Sequence, residues 1–129
     1  MLYLEIEELV SLEVIVDDII YMPTLEAPAD KPYPFVYFIT IKNNSSQEVK
    51  IVGRKWVITG INKDKTIVEG EGVVGQFPKI SSGAEFSYNS YHVIDNDSEV
   101  EGAFFGETND GVLVYSKIPK FELSIPKWA

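Results

Sequence analysis

The feature that most limits the fold of this chain is an alternation of apolar and polar residues with a period of two. In residues 34–43, Phe35, Tyr37, Ile39 and Ile41 share one face of an extended segment. The same alternation, or a short β-branched or aromatic run, recurs along the sequence. The predicted strands are residues 12–16, 34–43, 49–59, 66–68, 84–90, 99–107, 112–116 and 120–125. In residues 49–59 the alternation places Val52, Arg54, Trp56 and Ile58 on one face.

Clusters of turn-forming residues separate these runs. Asn43-Asn44-Ser45-Ser46 follows the second run, and Asn109-Asp110-Gly111 is a strong hairpin signal. Pro119 is predicted to precede the last strand and Pro126 to end it. No stretch of 12 residues beyond position 22 has a helical stripe. Seven or eight short strands joined by such turns predict an all-β fold, an antiparallel β-sandwich or barrel.

Composition excludes several classes of protein. The 129 residues fit one domain, and the absence of cysteine excludes disulfides and thiolate metal sites. The formal charge of −9 argues against nucleic-acid binding, and no apolar run approaches the roughly 20 residues of a membrane span. We therefore expect a cytoplasmic protein that contacts neither nucleic acid nor membrane. The acidity is uneven, since residues 1–30 hold eight acidic residues and no base.

Residues 70–75 match the pattern G-x-G-x-x-G through Gly70, Gly72 and Gly75. In dinucleotide-binding folds this pattern opens a helix whose amides hold a pyrophosphate. Pro78 and Ser81-Ser82-Gly83 leave no room here for such a helix. The interpretation favoured by the residues is a glycine-bearing turn or bulge, and phosphate or nucleotide binding is the alternative.

Two further groups are candidates for chemistry. Asp95, Asp97, Glu99 and Glu101 resemble the start of a calcium loop, but Val100 stands where an EF-hand needs glycine. A solvated acidic loop is the simpler interpretation, and divalent-metal binding is a second alternative. The single histidine, His92, is interpreted as a surface or strand-end residue, because the sequence has no nucleophile elbow to accompany it.

Arg54 and Trp56 are two residues apart in a predicted strand and should therefore share a face. Arginine stacks on indole rings or pairs with carboxylates. The simpler interpretation is a buried tryptophan whose edge is covered by the arginine. The alternative is an exposed hot spot for binding.

Several motifs, in order along the chain, resemble the ApaG domain family. Residues 53–59 (GRKWVIT) resemble the family's S-R-x-W-x-I-T strand, and residues 68–78 (VEGEGVVGQFP) resemble its V-x-G-E-G-V-V-G-x-x-P signature. Residues 83–90 match G-x-x-F-x-Y-x-S, residues 101–104 resemble M-E-G-x-Y, and residues 118–121 match I-P-x-F. Glu69 departs from the Arg or Gln common at that position.

The resemblance implies an immunoglobulin-like or fibronectin type III-like sandwich over residues 12–129, preceded by an extension of residues 1–11. It implies neither catalytic residues nor a cofactor or metal. The same domain occurs in an F-box protein and in a polymerase-delta-interacting protein. Bacterial members carry a genetic association with cobalt and magnesium efflux. A possible pyrophosphate loop in the family corresponds here to Gly70, Gly72 and Gly75.

We therefore expect a non-enzymatic module that binds one or more protein partners and is itself a monomer or a homodimer. The predicted recognition surface combines the glycine motif with the strand that carries the arginine and the tryptophan. Its residues are Arg54, Trp56, Glu71, Val73 and Val74.

Overall fold

The structure, a computed structural model, describes residues 6–129 of the chain, and within them every regular element is a β-strand. The strands are β1 (Glu7–Glu8), β2 (Leu12–Tyr21), β3 (Tyr33–Asn43), β4 (Val49–Gly60), β5 (Lys65–Glu71), β6 (Lys79–Ile80), β7 (Glu85–Ile94), β8 (Ser98–Thr108) and β9 (Leu113–Leu123). Within the same residues no helix is long and apolar enough to cross a bilayer.

The strands form two sheets that pack face to face. One sheet has three strands in the order β2-β3-β7, and the other has the order β1-β9-β8-β4-β5, with β6 also paired to β4. All pairs are antiparallel except β1 with β9. The chain changes sheet four times, between β1 and β2, between β3 and β4, between β6 and β7, and between β7 and β8. The all-β sandwich predicted from the sequence is confirmed, with seven long strands and two of only two residues.

The core lies between the two sheets and consists of the inward-facing residues of the long strands. Phe35, Tyr37, Ile39 and Ile41 are all buried, as the alternation predicts. In β4 the prediction was wrong at one point. A bulge between Ile51 and Gly53 shifts the register, so that Ile51 is buried and Val52 is only half-buried, whereas Trp56 and Ile58 face the core as expected.

The two strands predicted at residues 112–116 and 120–125 are a single strand, β9. Pro119 lies inside it rather than before it. Val100 pairs with Phe121 and Gly102 with Ile118, so β9 carries one more residue than β8 between these pairs. The free side of β9 is paired to β1 only at Val114 and Tyr115. A proline is tolerated here because it sits at a bulge on an edge, where no ladder hydrogen bond needs its missing N–H.

The long connection from β2 to β3 is tied down at two points. The Tyr91 hydroxyl donates a hydrogen bond to the Glu26 carbonyl (3.1 Å), and Lys31 Nζ donates to Thr66 Oγ1 (3.1 Å). The second bond joins this connection to Thr66 in β5, a strand of the larger sheet. Near the N-terminus, β1 extends the larger sheet. The predicted extension of residues 1–11 falls partly on residues 1–5, which lie outside the described residues.

Candidate functional site

The glycine motif forms a tight hairpin at the end of β5, and residues 70–77 are called the glycine turn from here on. The Val73 N–H donates to the Gln76 carbonyl (2.8 Å), and the Gln76 N–H donates to the Val73 carbonyl (2.9 Å). The two residues between them, Val74 and Gly75, have φ values of 44° and 78°. Positive φ at both central residues is the pattern of a type I′ turn, which matches the twist of β-strands. The turn predicted from the sequence is therefore present.

Each glycine of the motif has a structural role. Gly72 has φ +60°, and a Cβ built there would overlap the Gln76 carbonyl oxygen. A Cβ at Gly70 would lie 2.5 Å from Arg54 Nη1. Gly75 has open space around it but a φ of +78°, which side chains rarely adopt. Gly72 is thus required both by close approach to backbone and by its positive φ, Gly75 is favoured by its positive φ, and a side chain at Gly70 would displace the Arg54 guanidinium.

Three backbone amides of the turn, those of Gly72, Val73 and Gln76, donate hydrogen bonds to backbone carbonyls. Gly72 N–H donates to the Val52 carbonyl (2.9 Å), while Val73 and Gln76 bond each other. The described chain continues from the turn into β6, with no helix after it. This arrangement differs from a dinucleotide-binding loop, in which a helix N-terminus supplies the amides.

Arg54 fastens the turn to the sheet. Its Nη1 donates to the Glu71 carbonyl at 3.0 Å and to the Gly72 carbonyl at 3.2 Å. Arg54 pairs with Gly70 across the β4–β5 ladder, so its guanidinium lies directly over the residue that has no side chain. Arg54 therefore acts as a brace that fixes where the turn projects from the sheet.

Trp56 lies two residues along β4 from this brace and is fully buried, with 1% of its surface exposed. Its ring centroid is 4.8 Å from Tyr37, 4.8 Å from His92, 6.3 Å from Phe104 and 6.0 Å from Phe121. We call these five residues the aromatic layer. The simpler interpretation of Arg54 and Trp56 from the sequence describes this geometry. Trp56 itself cannot touch a partner on the surface of this fold.

His92 is part of the core, so its interpretation as a surface residue was wrong. It is 6% exposed, and its ring stacks 4.6 Å from Tyr37. Burial lowers the pKa of His92 from 6.5 to about 4, because the charged ring would lose its hydration. Burial likewise raises the pKa of Tyr37 and of Tyr88. The Nε2 atom of His92 and the Nε1 atom of Trp56 are buried and have no hydrogen-bond partner in the described protein atoms.

The glycine turn presents apolar side chains outward from this layer. Val74 and Phe77 are each 47% exposed, whereas Val73, the residue before Val74 in the chain, is fully buried in the core. Lys50 Nζ lies 5.7 Å from the centroid of the Phe77 ring, within range of a cation–π contact. Of the residues predicted for recognition, Val74 and Glu71 are exposed and Arg54 is half-buried. Val73 and Trp56 were wrongly assigned to a contact surface, because both are enclosed by the two sheets.

Phe77 was missed by the sequence prediction. It follows Gln76 and precedes Pro78, outside any alternating run, so periodicity gives it no face. The available signal was its position beside a proline in a glycine-rich turn, outside every predicted strand and therefore without a predicted cross-strand neighbour to cover it.

The carboxylates of residues 95–101 are engaged by different neighbours. Asp97 Oδ1 accepts the Ile125 N–H (2.7 Å). Glu99 and Glu101 pair with Lys120 at 3.2 and 3.3 Å on the outer face of the larger sheet. Within residues 6–129 no three His, Cys, Asp or Glu side chains come together as metal ligands would. In this segment Asp97 therefore satisfies the backbone N–H of Ile125, and Glu99 and Glu101 form ion pairs with Lys120.

Comparisons with known proteins agree with these motifs. The family model described as the ApaG domain (DUF525) matches residues 23–107. Protein ApaG of Pectobacterium carotovorum is 38% identical over 107 residues, which cover 82% of this chain and 86% of the relative. Protein ApaG of Sodalis glossinidius is 37% identical over the same shares. The crystal structure of an ApaA protein from Bordetella pertussis matches with a TM-score of 0.77 and 26% identity, covering 95% of this chain and 99% of that one.

Proposed function

The chain belongs to the ApaG domain family, and from this premise we propose that it is a non-catalytic module that binds a protein partner through the glycine turn. The proposed contact residues are Val74, Phe77, Glu71 and Lys50. Trp56 and Val73 support this surface from inside the core. We propose that the module acts in the cytoplasm, and that any association with cobalt and magnesium efflux runs through the partner.

The observation that carries this proposal is the conformation of Val74. Its φ of 44° lies in the left-handed region, which is unfavourable for a residue branched at Cβ. Such a conformation costs on the order of 1–3 kcal/mol and persists where the surrounding structure imposes it, most often at functional sites. At this position the strained backbone carries an isopropyl group that is 47% exposed, so the strain serves display rather than core packing.

The turn is also rigidly held, which favours recognition. The buried side chain of Val73 anchors it from below, and the two hydrogen bonds from Arg54 Nη1 anchor its stem. A contact surface that is ordered before binding loses little entropy when the complex forms. Val74 and Phe77 therefore offer a small preorganised apolar surface, with the Lys50 ammonium and the Glu71 carboxylate at its rim.

The placement of the titratable groups supports binding rather than chemistry. His92 is enclosed by Tyr37 and Trp56, so it has no route to a substrate proton. Glu99 and Glu101 are held by Lys120. A general acid or base has to come within hydrogen-bond reach of a substrate, which the buried His92 does not do in this fold, whereas the Glu99 and Glu101 side chains are 51% and 47% exposed.

Affinity capture from the native cell, with the wild type and two surface variants as baits, tests the proposal. We expect Val74→Asn and Phe77→Ser each to reduce recovery of the same partner, because each removes an exposed apolar side chain. Ile67→Ser is the matched control, since Ile67 is an apolar residue on β5 outside the turn and is 56% exposed, against 47% for Val74 and for Phe77. Equal recovery with all three variants would exclude the turn as the binding surface.

Phosphate or nucleotide binding is the second candidate function. It is favoured by one observation, namely that the Val74 and Gly75 amides donate to no backbone carbonyl in the turn. The exposed Glu69 and Glu71 carboxylates oppose it. Amide chemical shifts of Gly72, Val74 and Gly75, followed by NMR during titration with pyrophosphate and with nucleotides, decide between the two. Shifts confined to these amides would favour phosphate, and unchanged shifts at millimolar ligand would exclude it.

A further inference from the structure

The free edge of β7 is the basis of a further inference, independent of the glycine turn. In the order β2-β3-β7, β7 is the last strand of its sheet. The Asn43 N–H donates to the Ala84 carbonyl just before β7, and Ile41 pairs with Phe86. Because main-chain groups alternate in direction along a strand, those of Ser87, Asn89 and Tyr91 point away from the sheet.

Beyond Glu85 at its start, this edge has none of the charges, prolines or glycines that usually protect an edge from strand pairing. Residues 86–94 contain no Asp, Glu, Lys, Arg, Pro or Gly, and their one histidine is buried. The outward-facing side chains at the edge, Ser87, Asn89 and Tyr91, are exposed and uncharged. Long edges without charge or proline are templates for pairing with another strand.

The edges formed by β5 and β2 are protected. The edge strand β5 carries Lys65, Glu69 and Glu71. Strand β2 is interrupted by a bulge between Val16 and Asp18 and carries adjacent carboxylates there. A strand pairing with either edge would meet charge or irregular geometry, both of which disfavour a regular ladder.

We propose that the β7 edge pairs with the β7 edge of a second copy of this chain, antiparallel about a two-fold axis at Asn89. The two three-stranded sheets then join into one sheet of six strands. In this register Asn89 faces Asn89 of the other copy and Ser87 faces Tyr91, so no like charges oppose each other. A strand with a neutral edge is self-complementary, which is what a two-fold interface requires.

The distribution of charge favours a second copy as the occupant. The excess negative charge is concentrated in residues 1–30, which hold eight acidic residues, and not in β7. The residues that would meet at the axis, Ser87, Asn89 and Tyr91, are uncharged, and Glu26, which lies against Tyr91, accepts the tyrosine hydroxyl through its main-chain carbonyl. A single ladder buries little surface, so we expect a weak dimer that forms with rising concentration.

Cysteine crosslinking tests the proposed register, because the chain has no cysteine of its own. Residues opposite each other in a hydrogen-bonded antiparallel pair have Cα atoms about 5.5 Å apart, within the span of a disulfide. We expect Asn89→Cys to form covalent dimers under mild oxidation about tenfold faster than Ile67→Cys on the protected β5 edge, since pairing raises the local thiol concentration. An equal mixture of Ser87→Cys and Tyr91→Cys should crosslink faster than either alone. Equal rates for Asn89→Cys and Ile67→Cys would overturn the proposal.

Sedimentation equilibrium of the unmodified protein gives an independent test. We expect the mass to rise from 14.5 kDa toward twice that value as the concentration approaches millimolar. Asn89→Lys places two ammonium groups together on the axis and should keep the protein monomeric with an unchanged circular dichroism spectrum. A wild-type protein that stays monomeric at millimolar concentration would overturn self-pairing. This holds also if the β7 edge proves to bind a strand of a different protein.

Discussion

The glycine turn is held by Arg54, which lies two residues along β4 from Trp56 of the aromatic layer, yet backbone conformation determines the residues of the turn and buried surface determines those of the layer. In the aromatic layer the governing quantity is buried surface, and Trp56, Tyr37 and His92 are held by contact on all sides. In the glycine turn the governing quantity is backbone conformation, and Gly72, Val74 and Gly75 all have positive φ. Substitutions in the layer should therefore change stability, whereas substitutions at the tip of the turn should mainly change recognition. Variants in the two regions test that separation.

Trp56→Ala should have the largest effect. The substitution leaves a cavity among Tyr37, His92 and Phe104, and removing a fully buried large aromatic side chain typically costs about 3–5 kcal/mol. Urea denaturation followed by circular dichroism measures the loss in unfolding free energy. A loss below about 1 kcal/mol would show that the layer does not carry the stability attributed to it here.

The stability of the protein should depend on pH through His92. Its pKa is about 4 in the folded chain and 6.5 when exposed, so as pH falls the unfolded state binds a proton first. The contribution of neutral His92 to the unfolding free energy is fully present above pH 6.5. It is lost as the pH falls toward 4, and the total loss is about 3 kcal/mol. Below pH 4 the folded state is protonated too, and this loss stops.

His92→Phe provides the control for this pH dependence, since it keeps an aromatic ring and removes the titrating group. The unfolding free energies of the wild type and of His92→Phe are measured from pH 7.5 to 4. Their difference gives the pH dependence due to His92, because the carboxylates are the same in both proteins. Parallel curves for the two proteins would contradict the assignment.

A matched pair of glycine substitutions separates steric overlap from conformational strain in the turn. Gly72→Ala combines a positive φ with overlap on the Gln76 carbonyl and should destabilise the fold by more than about 2 kcal/mol. Gly75→Ala has a positive φ but open space, so a loss of about 1 kcal/mol is expected. Thermal and urea unfolding give both values. Equal losses would show that the close approach at Gly72 is relieved by relaxation of the chain.

Val74→Asn should have the smallest effect on stability and the opposite sign. Asparagine tolerates the left-handed region better than valine, so the unfolding free energy should rise by about 0.5–1 kcal/mol while partner capture falls. Val112→Asn, at another exposed valine in a hairpin, should change neither quantity appreciably. A Val74→Asn variant that loses stability would show that the isopropyl group contributes to packing, contrary to its proposed role in display.

The parts of the fold that the sequence predicts are those set by local preference. The alternation of Phe35, Tyr37, Ile39 and Ile41 predicts both a strand and its buried face, and the three glycines of residues 70–75 predict a turn. Where a bulge occurs the local pattern misleads, as at Ile51 and Val52, because one extra residue exchanges the two faces. Pro119 misleads for a related reason, since whether proline ends a strand depends on which neighbour that strand has.

The candidate site was predictable in composition but not in exposure. Arg54 and Trp56 do share a face, yet one braces the turn through its carbonyls and the other is enclosed. Val73 and Val74 are chemically identical and adjacent, and they lie on opposite sides of the surface. Nothing in the two residue types distinguishes them. The difference arises because the type I′ turn directs one side chain between the sheets and the next into solvent.

By itself the sequence determined the period-two strands, the turns between them and the family, because these depend on residues close together in the chain. Only the tertiary structure decided that His92 is buried, that β9 runs through Pro119 and that β7 is left with a free edge, uncharged beyond Glu85. Those properties depend on which strands become neighbours, and strand pairing joins residues far apart in sequence. A residue's hydration, and with it the pKa of His92 and the availability of Val74, is fixed only when that pairing is complete.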